Sequence, residues 1–154
     1  MSEEKTTGSV YIVTEKSSQV QLFAEYLTEH TGYPIHIQSP SVPLPTTTSG
    51  SVLILIDSDH IGIDALPEWQ ENLPQALAKA PLAAINISDM DHALEALSCA
   101  QLKGVFYRNE SLEVICKGIH ALLQGELWMS RELMARSFLS QVPKQRLSPG
   151  MWVN

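Results

Sequence analysis

Residues 51–57 read SVLILID. Five consecutive apolar residues, Val52 to Ile56, leave no polar alternate to face water. A strand with one wet face alternates, so this run reads as a strand buried on both faces, as in a parallel sheet covered by helices. The segment PLAAINIS (81–88) has the same character. Shorter β-rich runs occur at SVYIVT (9–14), IHIQ (35–38) and LKGVFYR (102–108). Between them lie stretches of helical spacing. SSQVQLFAEYLTEHTG (17–32) opens on a Ser start signal. Residues 66–79 carry Pro67 near their start and Pro74 as an internal divider. DHALEALSCA (91–100) is a short helix, and SLEVICKGIHALLQG (111–125) has a stripe of Leu112, Ile115, Cys116, Ile119, Leu122 and Leu123. SRELMARSFLSQV (130–142) adds a last helix, and SPSVPLPTTTSG (39–50) is a loop.

Strands alternating with helices predict an α/β chain with a five-stranded parallel sheet. Five βα units in this length suggest the flavodoxin-like order 2-1-3-4-5, with an extra sixth helix at the C-terminus. A regulatory domain is expected over 1–142, and 143–154 read as a linker or tail.

The 154 residues suffice for one domain, and 44% hydrophobic residues suffice for its core. The net charge of −7 excludes nucleic-acid binding through the overall field, so any anion site must be local. Cys99 and Cys116 are too few for a disulfide framework, and MSEEKTTG (1–8) lacks the character of a secretory signal. No apolar run approaches membrane-spanning length. These features predict a cytoplasmic protein without membrane contact. His30, His36, His60, His92 and His120 show no metal-ligand spacing, so no metal is expected. No Gly-rich phosphate loop, nucleophile elbow or spaced Cys/His pair is present, and no enzymatic activity is expected.

In this fold, sites form at the carboxyl ends of the strands. Asp57 ends the third strand, the place of the phosphoacceptor in a response-regulator receiver. Phosphoryl transfer there needs Mg²⁺ held by further carboxylates. The position of the acidic pair after strand one reads Thr14-Glu15, so one acid is missing. The position of the lysine after strand five reads Arg108, whose rigid fork does not replace it. The hydroxyl after strand four is either replaced by Asn86 or displaced to Ser88. Glu15, Asp57 and Arg108 thus read as a degenerate phosphoacceptor pocket. Two readings of Asp57 stand: a leftover carboxylate, or a residual acceptor.

A second cluster lies in GELWMSRELM (125–134). Lys117, Gln124 and Trp128 are seven and four apart, so they share one face if helical geometry continues through Gly125. On that geometry Trp128 and Arg131 are i,i+3 neighbours. Ser130 is a natural N-cap, and a helix N-terminus suits a phosphate. Arg131 offers a fork for phosphate or guanine, and Trp128 a flat apolar wall. The plain alternative is that Ser130 only caps, Trp128 packs a junction and Arg131 is solvated.

WMSR (128–131) resembles the W-[FLM]-[ST]-R signature of LuxR/FixJ-family biofilm regulators of the CsgD and VpsT type. TEKSS (14–18), GVFY (104–107) and GELW (125–128) resemble the same group. The resemblance implies a CheY-like receiver with an atypical pocket and an added sixth helix. In the VpsT type it implies cyclic di-GMP binding at the base of that helix, with stabilisation of a homodimer. It assigns Trp128, Met129, Ser130 and Arg131 to the ligand motif and Lys117 to the ligand side. It also implies DNA binding through a C-terminal helix-turn-helix domain beyond this chain, and control of biofilm matrix genes; the chain is expected to be a regulatory fragment of such a regulator, the alternative being a stand-alone receiver-like protein. Three readings follow: a cyclic di-GMP sensor controlling dimerisation, a phosphoacceptor receiver using Asp57, or a dimerisation domain independent of ligand.

Overall fold

A computed structural model describes residues 8–45 and 50–141. The expected linker at 143–154 lies outside the described residues. The strands are β1 (Gly8–Val13), β2 (Ile35–Gln38), β3 (Ser51–Asp57), β4 (Leu82–Ile87) and β5 (Gly104–Tyr107). All neighbours pair in parallel, in the order β2-β1-β3-β4-β5. The helices are α1 (Ser18–Thr31), α2 (Leu66–Glu71), α3 (Met90–Cys99), α4 (Leu112–Leu123) and α5 (Arg131–Gln141).

The apolar run of β3 is buried throughout from Val52 to Ile56. Its side chains alternate between two cores. Leu53 and Leu55 join Val10, Ile12, Ala83 and Phe106 under α1 and α4, contributed by Leu27, Ile115, Ile119 and Leu122. Val52, Ile54 and Ile56 join Leu82, Ala84 and Val105 on the other face, against Leu66 of α2, Ala93 and Ala96 of α3, and Leu133 of α5. The unbroken hydrophobicity of β3 is therefore a consequence of two covered faces.

One expectation changes. The C-terminal helix is the fifth, because the described residues between β2 and β3 contain no helix; a Pro-rich sequence there favours extended backbone. The segment 66–79 is divided at Pro74, as the sequence predicts. Pro74, with ψ at 150°, separates α2 from a 3-10 turn at Gln75–Leu77.

Serine and aspartate set the helix starts. Ser17 Oγ accepts from Val20 N–H at 3.1 Å, Asp89 from His92 N–H at 2.9 Å, and Ser111 Oγ from Val114 N–H at 3.2 Å. Among the described residues, no helix is long and apolar enough to cross a membrane.

Candidate functional site

Two regions concentrate the polar chemistry: the carboxyl ends of β1, β3 and β4, and the outer edge of β5. At the first, Asp57 is 5% exposed. Thr14 Oγ1 donates to its Oδ2 at 2.8 Å, while Asn86 Nδ2 and the Asp59 N–H both donate to Oδ1 at 2.9 Å. His60 Nε2 stands 3.9 Å from Oδ2. The carboxylate is thus solvated by three close donors of the protein itself, and its burial is compensated without a metal.

Asn86 reaches Asp57 because β4 is irregular between Ala84 and Ile87 and Asn86 takes φ 62°. Asparagine is among the few non-glycine residues that tolerate this conformation. Ser58 Oγ steadies the bulge by donating to Ile85 O at 2.7 Å. Ser88 instead meets His92 Nδ1 at 3.1 Å, so Asn86 occupies the position facing the carboxylate.

Arg108 does not face Asp57 at contact distance. Its guanidinium forks onto Asp59, with Nη1 2.8 Å from Oδ2 and Nη2 2.9 Å from Oδ1. The hydrogen bond from Arg108 holds the Asp59 carboxyl below its ordinary range, and Asp59 in turn raises Arg108. Burial raises the Tyr107 phenol, with Glu110 adding to it. Glu15 is exposed and makes no contact with Asp57 among the interactions of the described residues. A cavity of about 260 Å³ opens beside Thr14, Asp57, Asn86 and Phe106.

At the second region, α4 ends at Leu123 and Gly125 takes φ 90°, which reverses the chain. Trp128 then pairs in parallel with Gly104. Its N–H donates to Lys103 O at 2.9 Å, and the Val105 N–H donates to Trp128 O at 3.0 Å. One residue thereby extends the sheet past β5. Trp128 packs on the core under α1 and α4, and Met129 on the opposite core, the alternation of a strand. Ser130 Oγ accepts from Leu133 N–H at 3.0 Å and caps α5. Arg131 is exposed, and its side chain has no ion pair or hydrogen bond among the described residues.

Residues 12–131 match the model of the VpsT-like receiver domain. The chain belongs to this family. It is 22% identical over 125 residues to the probable csgAB operon transcriptional regulatory protein of Salmonella typhimurium, covering 81% of this chain and 57% of that relative's length. The crystal structure of the regulatory domain of the master biofilm regulator CsgD superposes with a TM-score of 0.69 at 18% identity, over 85% of this chain and 98% of that one. The isolated receiver domain of RcsB from Salmonella enterica serovar Typhimurium gives 0.61 at 13% identity, over 86% and 99%. These structural likenesses carry the fold.

In this VpsT-like receiver, the expected helical face does not form. Helical geometry stops before Gly125, so Lys117, Gln124 and Trp128 are not on one helix, and Trp128 and Arg131 are not i,i+3 helical neighbours. The indole reaches α4 by another route. Its Nε1 lies so close to Gly118 that a Cβ there would stand 2.9 Å from it. Lys117, exposed, is the preceding residue. Trp128 and Met129 are half-buried, while Ser130 and Arg131 are exposed. Sequence reasoning missed Thr14 and Asp59 as the partners of Asp57 and Arg108, and missed Gly118. A glycine inside the strongest amphipathic helix was the available signal for the last.

Proposed function

We propose that this VpsT-like receiver is the sensory domain of a LuxR-type transcription regulator that binds cyclic di-GMP at the base of α5 and couples it to homodimerisation. One observation carries the reading. Arg131, a cation with no ion pair or hydrogen bond from its side chain among the described residues, stands at the capped start of α5, three residues after a half-buried tryptophan. A protein of net charge −7 that leaves an arginine without an ion pair among the described residues, at a helix N-terminus, offers a local anion site against its overall field. Trp128, Met129 and Ser130 complete the ligand motif, and Lys117 contributes charge from α4. The csgAB regulator to which the chain is similar supports a role in transcription of biofilm matrix genes. DNA contact would then fall to a helix-turn-helix domain outside these residues. The soluble, cytoplasmic setting of such a regulator accords with this reading.

The occupied state of Asp57 supports an input other than phosphorylation. Symmetric ligand capture by two copies of the site gives a closed dimer. Calorimetric titration with cyclic di-GMP, run beside sedimentation velocity, tests both halves. Saturable binding with a ligand-dependent rise in dimer fraction is expected; no heat and no change in sedimentation would overturn the proposal.

The ligand-independent dimer has its own support. Phe138 and Leu139 on α5 are 70% and 69% exposed, adjacent and apolar. Dimers at equal concentration with and without ligand would favour that second reading.

A further inference from the structure

Trp128 lies in a slot floored by two glycines. At Gly104, a Cβ would come within 3.0 Å of Leu122 and 3.3 Å of Trp128 Cβ. At Gly118 the fit is closer: a Cβ would collide with Phe106 Cε1, stand 2.5 Å from its Cζ, and stand 2.9 Å from Trp128 Nε1. Phe106 is fully buried, and its ring lies near-parallel to the indole, with centroids 6.4 Å apart at 27°. The phenyl therefore has little room to yield. Glycine is an unfavourable residue inside a helix, so its presence at mid-α4 needs a packing reason. The reason here is the approach of two aromatic rings to the α4 backbone.

We infer that Gly118 is a positioning residue for the cyclic di-GMP site: it lets the indole of Trp128 sink edge-on against α4 at the β5 edge, next in sequence to the exposed Lys117 and three residues ahead of the exposed Arg131. The inference rests on the function proposed above. Without the notch the indole is displaced outward from α4. Lys117 and Arg131 keep their charges in that case, but the apolar wall moves. Gly118 acts through Trp128 and makes no ligand contact of its own.

The test separates the notch from the fold. Trp69 and Trp152 are replaced by phenylalanine, so that Trp128 is the sole tryptophan reporter. In that background Phe106→Leu removes the ring atoms that would collide with a new methyl group, and Gly118→Ala is added to it. Folding of both variants is followed by circular dichroism. Phe106→Leu is expected to bind cyclic di-GMP within about threefold of its parent. Adding Gly118→Ala is expected to weaken binding at least tenfold, to red-shift the Trp128 emission and to increase its quenching by acrylamide. Equal binding by the two variants, or an unchanged Trp128 emission, would overturn the inference. If the parent itself binds no cyclic di-GMP while Gly118→Ala still exposes Trp128, the ligand assignment falls and the positioning of the indole stands.

Discussion

Asn86 holds φ at 62° and donates from Nδ2 to Asp57 Oδ1 across 2.9 Å. The strained backbone and the hydrogen bond belong together, because the bulge in β4 turns the carboxamide toward β3. Replacement by glycine removes the donor but relieves the backbone. Replacement by alanine removes the donor and keeps the strain, at about 1–2 kcal/mol. Asn86→Ala is therefore expected to be less stable than Asn86→Gly by roughly 1 kcal/mol in urea unfolding. Equal stabilities would mean that the backbone at 86 relaxes freely.

Asp57 is expected to stay unmodified by acetyl phosphate with Mg²⁺. Thr14, Asn86 and the Asp59 amide already donate to its carboxylate, Thr14 stands where a second acid is needed, and Arg108 is committed to Asp59. Intact-mass spectrometry reads the result directly. A stable adduct at Asp57 would restore the phosphoacceptor reading.

The pair Arg108–Asp59 sets an acid-side dependence. Asp59 titrates lower in the folded protein than its ordinary 3.8, chiefly through the hydrogen bond from Arg108. A depressed carboxyl contributes stability above its unfolded value, and that contribution is lost as pH falls through the folded value. Both side chains are substantially exposed, so the effect is small and screened by salt. Arg108→Ala is expected to melt slightly below the parent at pH 6, with the two curves converging below pH 3.8. A gap that persists or widens in acid would show that Arg108 acts by packing.

The sheet was legible because its signal is local to each strand. SVLILID and PLAAINIS have no wet face, and only a doubly covered parallel sheet accepts both. That Thr14 and Arg108 depart from the residue types a receiver pocket uses was also legible, since both stand at fixed positions after β1 and β5. The geometry around Trp128 was not. A period of 3.6 carried across Gly125 assumes a continuous helix, and a single residue at φ 90° breaks it. One bridge to Gly104 leaves no periodic trace, because a strand of one residue has no pattern. The partners of Arg108 were hidden for a related reason: Asp59 is 49 residues away, and the contact exists only after β3 and β5 take their places.

Arg131 decides between charge and shape. The side chain extends from the first residue of α5, beyond the Ser130 cap, and is exposed. If it grips phosphate and stacks on guanine, Arg131→Ala removes charge, fork and plane together. A loss on the order of 2–4 kcal/mol in cyclic di-GMP affinity is expected, the scale of a charge-assisted contact that becomes buried on binding. Arg131→Lys keeps the charge but has neither fork nor plane, so it is expected to lose nearly as much. Simple attraction between a cation and an anion predicts the reverse, with lysine rescuing most of the binding. Thermal melts separate these outcomes from a structural role. An arginine at the start of a helix contributes little to it and slightly opposes its dipole, so both variants are expected to melt with the parent. If the lysine variant binds like the parent, the fork-and-stack mechanism is wrong. If both variants unfold, Arg131 serves the packing of α5, and the site must be sought elsewhere along the β5 edge.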